Sequence, residues 1–249
     1  MVFSKTDKIN MTIRTKITWL TLFSIAMAFM ETAVVIYLRK IYYPNGFQFP
    51  LVPIEPGIAL TEFLREAATI IMLVGIGILS GKTRAQKFAF FIYGFAIWDI
   101  FYYVFLKMFL NWPESLFTWD ILFLIPVPWV GPVLAPCLIS LSMIAFTLAI
   151  VLSEEKGINS TIKSKEWILL IIGSSTIIFS FVLDYFKYVI EENTTSGIWT
   201  LSSQEHLFNE LKNYTPTNYN WFIFWIGEAL IIYAIIQYAK RINNSKNKI

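Results

Sequence analysis

Residues 121–153, ILFLIPVPWVGPVLAPCLISLSMIAFTLAIVLS, run for 33 positions without a charged side chain. One continuous helix of that length would reach ~50 Å at 1.5 Å per residue. The hydrocarbon core of a bilayer is only ~30 Å thick. Pro126, Pro128, Pro132 and Pro136, with Gly131, also crowd the first half, and prolines at that density cannot occupy a regular helix interior. The stretch therefore predicts a spanning helix over about 132–153, preceded by an extended, interfacial or re-entrant segment over 121–131. Non-helical backbone at membrane depth needs protein or water around it, so this segment is expected to border a cavity.

Similar apolar runs recur on both sides. Spans are predicted at about 17–38, 59–80, 88–110, 167–184 and 219–238, six in all, with an outer loop over 185–217 and a short helix inside it around Gln204–Lys212. The 249 residues are 56% hydrophobic and 15% charged, with a mean hydropathy of +0.59. A soluble domain carries about 25% charged residues. The fold class expected is all-α, a polytopic helical bundle forming a single integral membrane domain over 1–249.

Basic residues set the orientation. The N-terminus (Lys5, Lys8, Arg14, Lys16), the loop after span two (Lys82, Arg84, Lys87), the loop after span four (Lys156, Lys163, Lys165) and the C-terminus (Lys240, Arg241, Lys246, Lys248) fall on one side if six spans are threaded. That predicts both termini in the cytoplasm, in a plasma membrane. Ala26-Met27-Ala28 resembles a signal-peptidase site, but apolar residues continue to Leu38. The segment is read as a retained span rather than a cleaved leader.

Several chemistries are disfavoured. The only cysteine is Cys137 and the only histidine is His206. Haem, zinc and copper sites lean on those residue types, so no cofactor is identified. A net charge of +3 with dispersed basic residues argues against nucleic acid. The sequence shows neither a phosphate-cradling glycine loop nor a convincing nucleophile, histidine and acid set.

The acids in or near the spans are the informative residues, because charge inside a bilayer is costly. Glu31, Glu62, Glu66, Asp99, Asp120, Asp184 and Glu228 all lie central to outer along their spans, and none lies deep on the cytoplasmic side. Glu62, Glu66, Thr69, Leu73, Gly77 and Ser80 follow helical i+3 and i+4 steps and share one face. Ser24, Ala28 and Glu31 form a similar stripe, as do Gly173, Thr176, Ser180, Asp184 and Lys187. Small and polar stripes face a bundle interior. The pattern predicts an outward-facing carboxylate-rich site, with Arg65 and Arg39 as counter-charges.

Three readings follow, besides contact with the lipid bilayer itself. One is a site that binds or carries a cation, a proton or a small polar solute; carboxylates suit a hard cation such as Mg²⁺ or Ca²⁺. Another is a membrane enzyme acting on a lipid or lipid-linked substrate at the outer leaflet, with an arginine holding the head group. The third is a structural or accessory subunit whose interior charges hold the bundle together. The sequence specifies neither a partner subunit nor an oligomeric state.

Overall fold

The computed structural model describes residues 11–192 and 212–246. Among them are six helices long and apolar enough to cross a membrane. These are α1 (Ile13–Tyr42), α2 (Pro56–Ser80), α3 (Arg84–Leu110), α4 (Leu134–Glu155), α5 (Ser164–Glu192) and α6 (Trp221–Lys246). The chain is a multi-pass membrane protein with the expected all-α bundle. Large apolar side chains cover its flanks: Leu79 is 84% exposed and Ile71 71%. Such a surface is unfavourable against water and is the natural face toward lipid.

Local chemistry sets the helix ends. Thr12 and Thr83 cap α1 and α3, each accepting from the backbone N–H three residues on. Pro56 opens α2, where its missing N–H costs nothing. Asn111 ends α3 in the left-handed region, at φ 52°.

The proline-rich segment before α4 is an antiparallel hairpin of β1 (Trp119–Phe123) and β2 (Trp129–Pro132). Its register pairs Asp120 with Gly131 and Ile121 with Val130, and a bulge follows before Phe123 meets Trp129. The extended backbone expected over 121–131 is thus present, and it begins two residues earlier. Helix α4 starts at Leu134 rather than 132, once the hairpin has closed.

Helix α3 is the hub of the first half: α1, α2 and α4 all pack along it, whereas α1 and α2 scarcely touch each other. Helices α5 and α6 form the other half as the closest pair in the fold, with α4 reaching α6 and β2 reaching α5. Lys16 donates to the Ser80 carbonyl, and Arg241 to the Thr161 carbonyl. Thr83, just after α2, donates to Glu154 at the end of α4, so the start of α1 and the end of α6 lie at the same end of the bundle. The hairpin, residues 43–55 and residues 212–220 lie at the opposite end.

Several boundaries need correction. Helix α5 does not stop at 184 but continues to Glu192, so the outer loop begins after it. Tyr185 and Val189 extend the buried stripe of Phe181 and pack with Leu51, Val130 and Tyr214, which keeps the helix going past its charged residues. Helices α1, α3 and α6 also run several residues beyond the apolar stretches predicted for them, because helical backbone bonding continues through their polar ends. The helix expected at Gln204–Lys212 lies outside the described residues, apart from Lys212, as does His206.

Candidate functional site

The face predicted on α2 is the buried one: Glu62, Glu66, Thr69, Leu73 and Gly77 all point inward. On α1, Ser24 and Ala28 are fully buried and Glu31 is half-buried. Leu73, Ala28, Ser24 and Trp98 fill the space between α1, α2 and α3 near mid-bundle. On the hairpin side of that plug is a cavity of about 690 Å³.

An ion cluster bridges α1 to α2 in the cavity wall. Arg65 Nη1 lies 2.9 Å from Glu31 Oε2, and Arg65 Nη2 and Nε lie 2.9 Å from Glu62 Oε2. One arginine thus pairs with two carboxylates, leaving the trio one negative charge in excess when all are ionised. Arg39 sits higher, near the end of α1. Its Nη2 is 3.1 Å from Asp120 Oδ1 on β1, and its guanidinium stacks over Trp112 at 3.7 Å and Phe47 at 4.3 Å. This pair pins the hairpin to α1.

Two further acids have different partners. Glu66 Oε2 accepts from the Leu124 N–H at 2.8 Å, tying α2 to the hairpin connection. Asp99 Oδ2 accepts from the Ser140 hydroxyl at 2.8 Å, across from α4. Among the described residues no ion pair joins either one. Tyr43, Phe47 and Leu51 from the α1–α2 connection form the roof, and the Tyr43 hydroxyl accepts from the Val52 N–H. Leu51 in turn packs on Val130 and Tyr214.

No family model, no curated protein and no solved structure matches the chain. The site therefore has to be read from its own geometry.

Five of the seven predicted acids, Glu31, Glu62, Glu66, Asp99 and Asp120, line this one cavity together with both predicted counter-charges, Arg65 and Arg39. The other two stand apart. Glu228 on α6 is 2% exposed and accepts from Ser142 on α4; α6 packs on α5 and α4, away from α1–α3. Asp184 accepts from the Tyr214 hydroxyl at 2.7 Å and from the Thr217 N–H at 3.2 Å, which ties the chain entering α6 back to α5. It borders a separate polar cavity of about 390 Å³. Glu55 and Lys212 complete the wall of the larger cavity. Both lie outside the helices, where no periodicity signals a facing direction.

Asp120 is 2% exposed. Burial pushes its carboxyl up to about 6, opposed by the Arg39 guanidinium and by hydrogen bonds from the Ile121 N–H and the Tyr103 hydroxyl. Arg39→Gln removes the strongest opposing influence, so the Asp120 titration midpoint is expected to rise above its wild-type position near 6. Isotope-edited infrared spectroscopy of the carboxyl band measures it. An unmoved midpoint would show that Arg39 does not hold Asp120.

Proposed function

We propose that this membrane protein binds a cationic solute from the outer side, in the cavity between α1, α2, α3 and the hairpin. One observation supports the reading above the others. The wall carries six carboxylates (Glu31, Glu55, Glu62, Glu66, Asp99 and Asp120) against Arg39, Arg65 and Lys212. With every group ionised the carboxylates exceed the cations by three. A concave, low-dielectric wall with one sign of charge in excess concentrates the opposite charge.

The arginines fit an anion poorly. Arg65 is spent on Glu31 and Glu62, and one edge of Arg39 is spent on Asp120. Of the three carboxylates left, Glu55 is exposed, so Glu66 and Asp99 are the interior groups left to receive a cation. The plug of Leu73, Ala28, Ser24 and Trp98 closes the path inward, so the arrangement corresponds to the outward-facing form of a binding protein or carrier with both termini in the cytoplasm.

The test is thermal unfolding in lipid nanodiscs with Na⁺, Mg²⁺ and tetramethylammonium as separate additions. A ligand that binds only the folded state stabilises it by about 2.7 kcal/mol at 100 times its Kd. At least one cation is expected to raise the wild-type Tm, and the Glu66→Gln/Asp99→Asn double variant is expected to lose that rise. Both replacements keep a carbonyl oxygen for Leu124 and Ser140, so the fold contacts survive. A wild type that responds to no cation sinks the reading.

A further inference from the structure

The walls of the cavity narrow the class of cation. A bare metal ion needs several oxygen ligands converging within about 2.6 Å of one point. Among the described residues no three Asp, Glu, His or Cys side chains converge in that way. The carboxylates are instead spread around a space of about 690 Å³, a volume typical of sites for organic ligands of drug size.

Aromatic rings fill the gaps between the charges. Tyr42, Trp98, Tyr102 and Tyr103 belong to the wall along with Glu66 and Asp99. Tyr102 and Tyr103 follow Asp99 by one turn of α3, and their rings meet edge to face with centroids 5.0 Å apart. A ring face attracts an ammonium group, most strongly away from water. Carboxylate and aromatic groups around a roomy cavity suit an alkylated ammonium better than a strongly hydrated inorganic ion.

The rest of the ligand is indicated by the helix arrangement. Helices α1 and α2 both lean on α3 and scarcely touch each other. Val35 and Leu38 on α1 and Ala59 and Leu60 on α2 line the space between them, and Leu60 is 51% exposed on the lipid-facing flank. The roof of residues 43–55 covers the outer end, held down through Leu51. These apolar side chains give the cavity a surface beside the carboxylates on which an apolar body can lie. Arg39, 7% exposed, also lines the cavity, and its Nη1 has no hydrogen-bond partner among the described residues.

We propose that the cavity takes an organic ammonium group carried on an apolar body, the ammonium held by Glu66, Asp99 and the Tyr102–Tyr103 rings and the body lying between α1 and α2. This inference rests on the reading of the cavity as a cation site and names the class of cation.

The experiment is calorimetric titration of the protein in nanodiscs with tetramethylammonium, hexyltrimethylammonium and MgCl₂, with empty nanodiscs as the partition control. Each buried methylene is worth roughly fourfold in affinity, and hexyltrimethylammonium carries five more carbons than tetramethylammonium, so burial of three of them makes it about 50-fold tighter. Glu66→Gln/Asp99→Asn is expected to abolish binding. Tyr102→Leu is expected to weaken it about three- to tenfold with the Tm unchanged. A two-chained trimethylammonium lipid doped into the disc separates the sources: displacement of the hexyl probe marks a membrane lipid, and no displacement marks a single-chained solute.

Equal affinity for the two soluble probes would overturn the apolar body. Binding of Mg²⁺ that depends on Glu66 and Asp99, with no competition from either ammonium, would overturn this inference and leave the cation site standing. A folded protein that binds none of the probes would overturn both.

Discussion

Arg65→Gln is expected to destabilise the fold by about 3–5 kcal/mol, the usual cost of stranding a buried charge. For a chain of this size that is a fall in Tm on the order of 10 °C. The Arg65 side chain is only 20% exposed, and those of Glu31 and Glu62 12% each. Removing the guanidinium leaves two carboxylates facing each other across the gap between α1 and α2, the two helices that share little else. Arg65→Lys keeps the charge but loses the planar fork that reaches two carboxylates at once, so a smaller loss is expected.

The decisive comparison is the triple variant Glu31→Gln/Glu62→Gln/Arg65→Gln. Neutralising all members of a buried ion cluster is often close to neutral, whereas removing one is costly. The triple is therefore expected to recover most of the Tm lost by Arg65→Gln alone. A triple as unstable as the single would show that the cost lies in lost packing of the arginine stem. Thermal unfolding in nanodiscs reads all four proteins on one scale.

This cluster also shows what was legible in the sequence. Glu62, Arg65 and Glu66 sit close together on one helix, and i+3 and i+4 spacing alone puts Glu62 and Glu66 on the face that the structure buries. That Glu31 completes the cluster was only suggested by its similar depth. Depth is one coordinate, and the azimuth of each helix in the bundle is another. Glu228 has a similar depth, yet α6 packs on α5 and α4 and carries it away from the cavity. The uncharged proline run announced non-helical backbone, since ring chemistry is local. Its pairing into a hairpin, and the contact of Asp120 with Arg39 across 81 residues, depend on tertiary packing that no local pattern encodes. At α5 the pattern misled for a specific reason. Asp184 and Lys187 read as the end of a span, but Tyr185 and Val189 beside them are the buried positions, and the charges lie to the side.

Gly227→Val is the second substitution with a large expected effect, at about 3 kcal/mol or more, beyond ordinary overpacking. Gly173 on α5 and Gly227 on α6 face each other where these helices cross. A Cβ on Gly227 would lie 2.8 Å from the Gly173 carbonyl oxygen and 2.6 Å from Ile177 Cγ1; one on Gly173 would lie 2.9 Å from the Gly227 carbonyl oxygen. Small residues let helices in a bilayer approach until their backbones touch, and that packing drives association where lipid and side chain are equally apolar. The side-chain part of the clash can be relieved and the backbone part cannot. Ile177→Ala in the Gly227→Ala background clears the Cγ1 contact but leaves the carbonyl contact, so it is expected to recover only a minor part of the lost Tm. Full recovery would mean that the helices are held apart by Ile177 rather than by backbone contact. Binding at the cavity is expected to survive Gly227→Ala in the folded fraction, because α5 and α6 contribute no residue to its wall. A loss of cation binding in protein that remains folded would instead place the α5–α6 crossing in communication with the site.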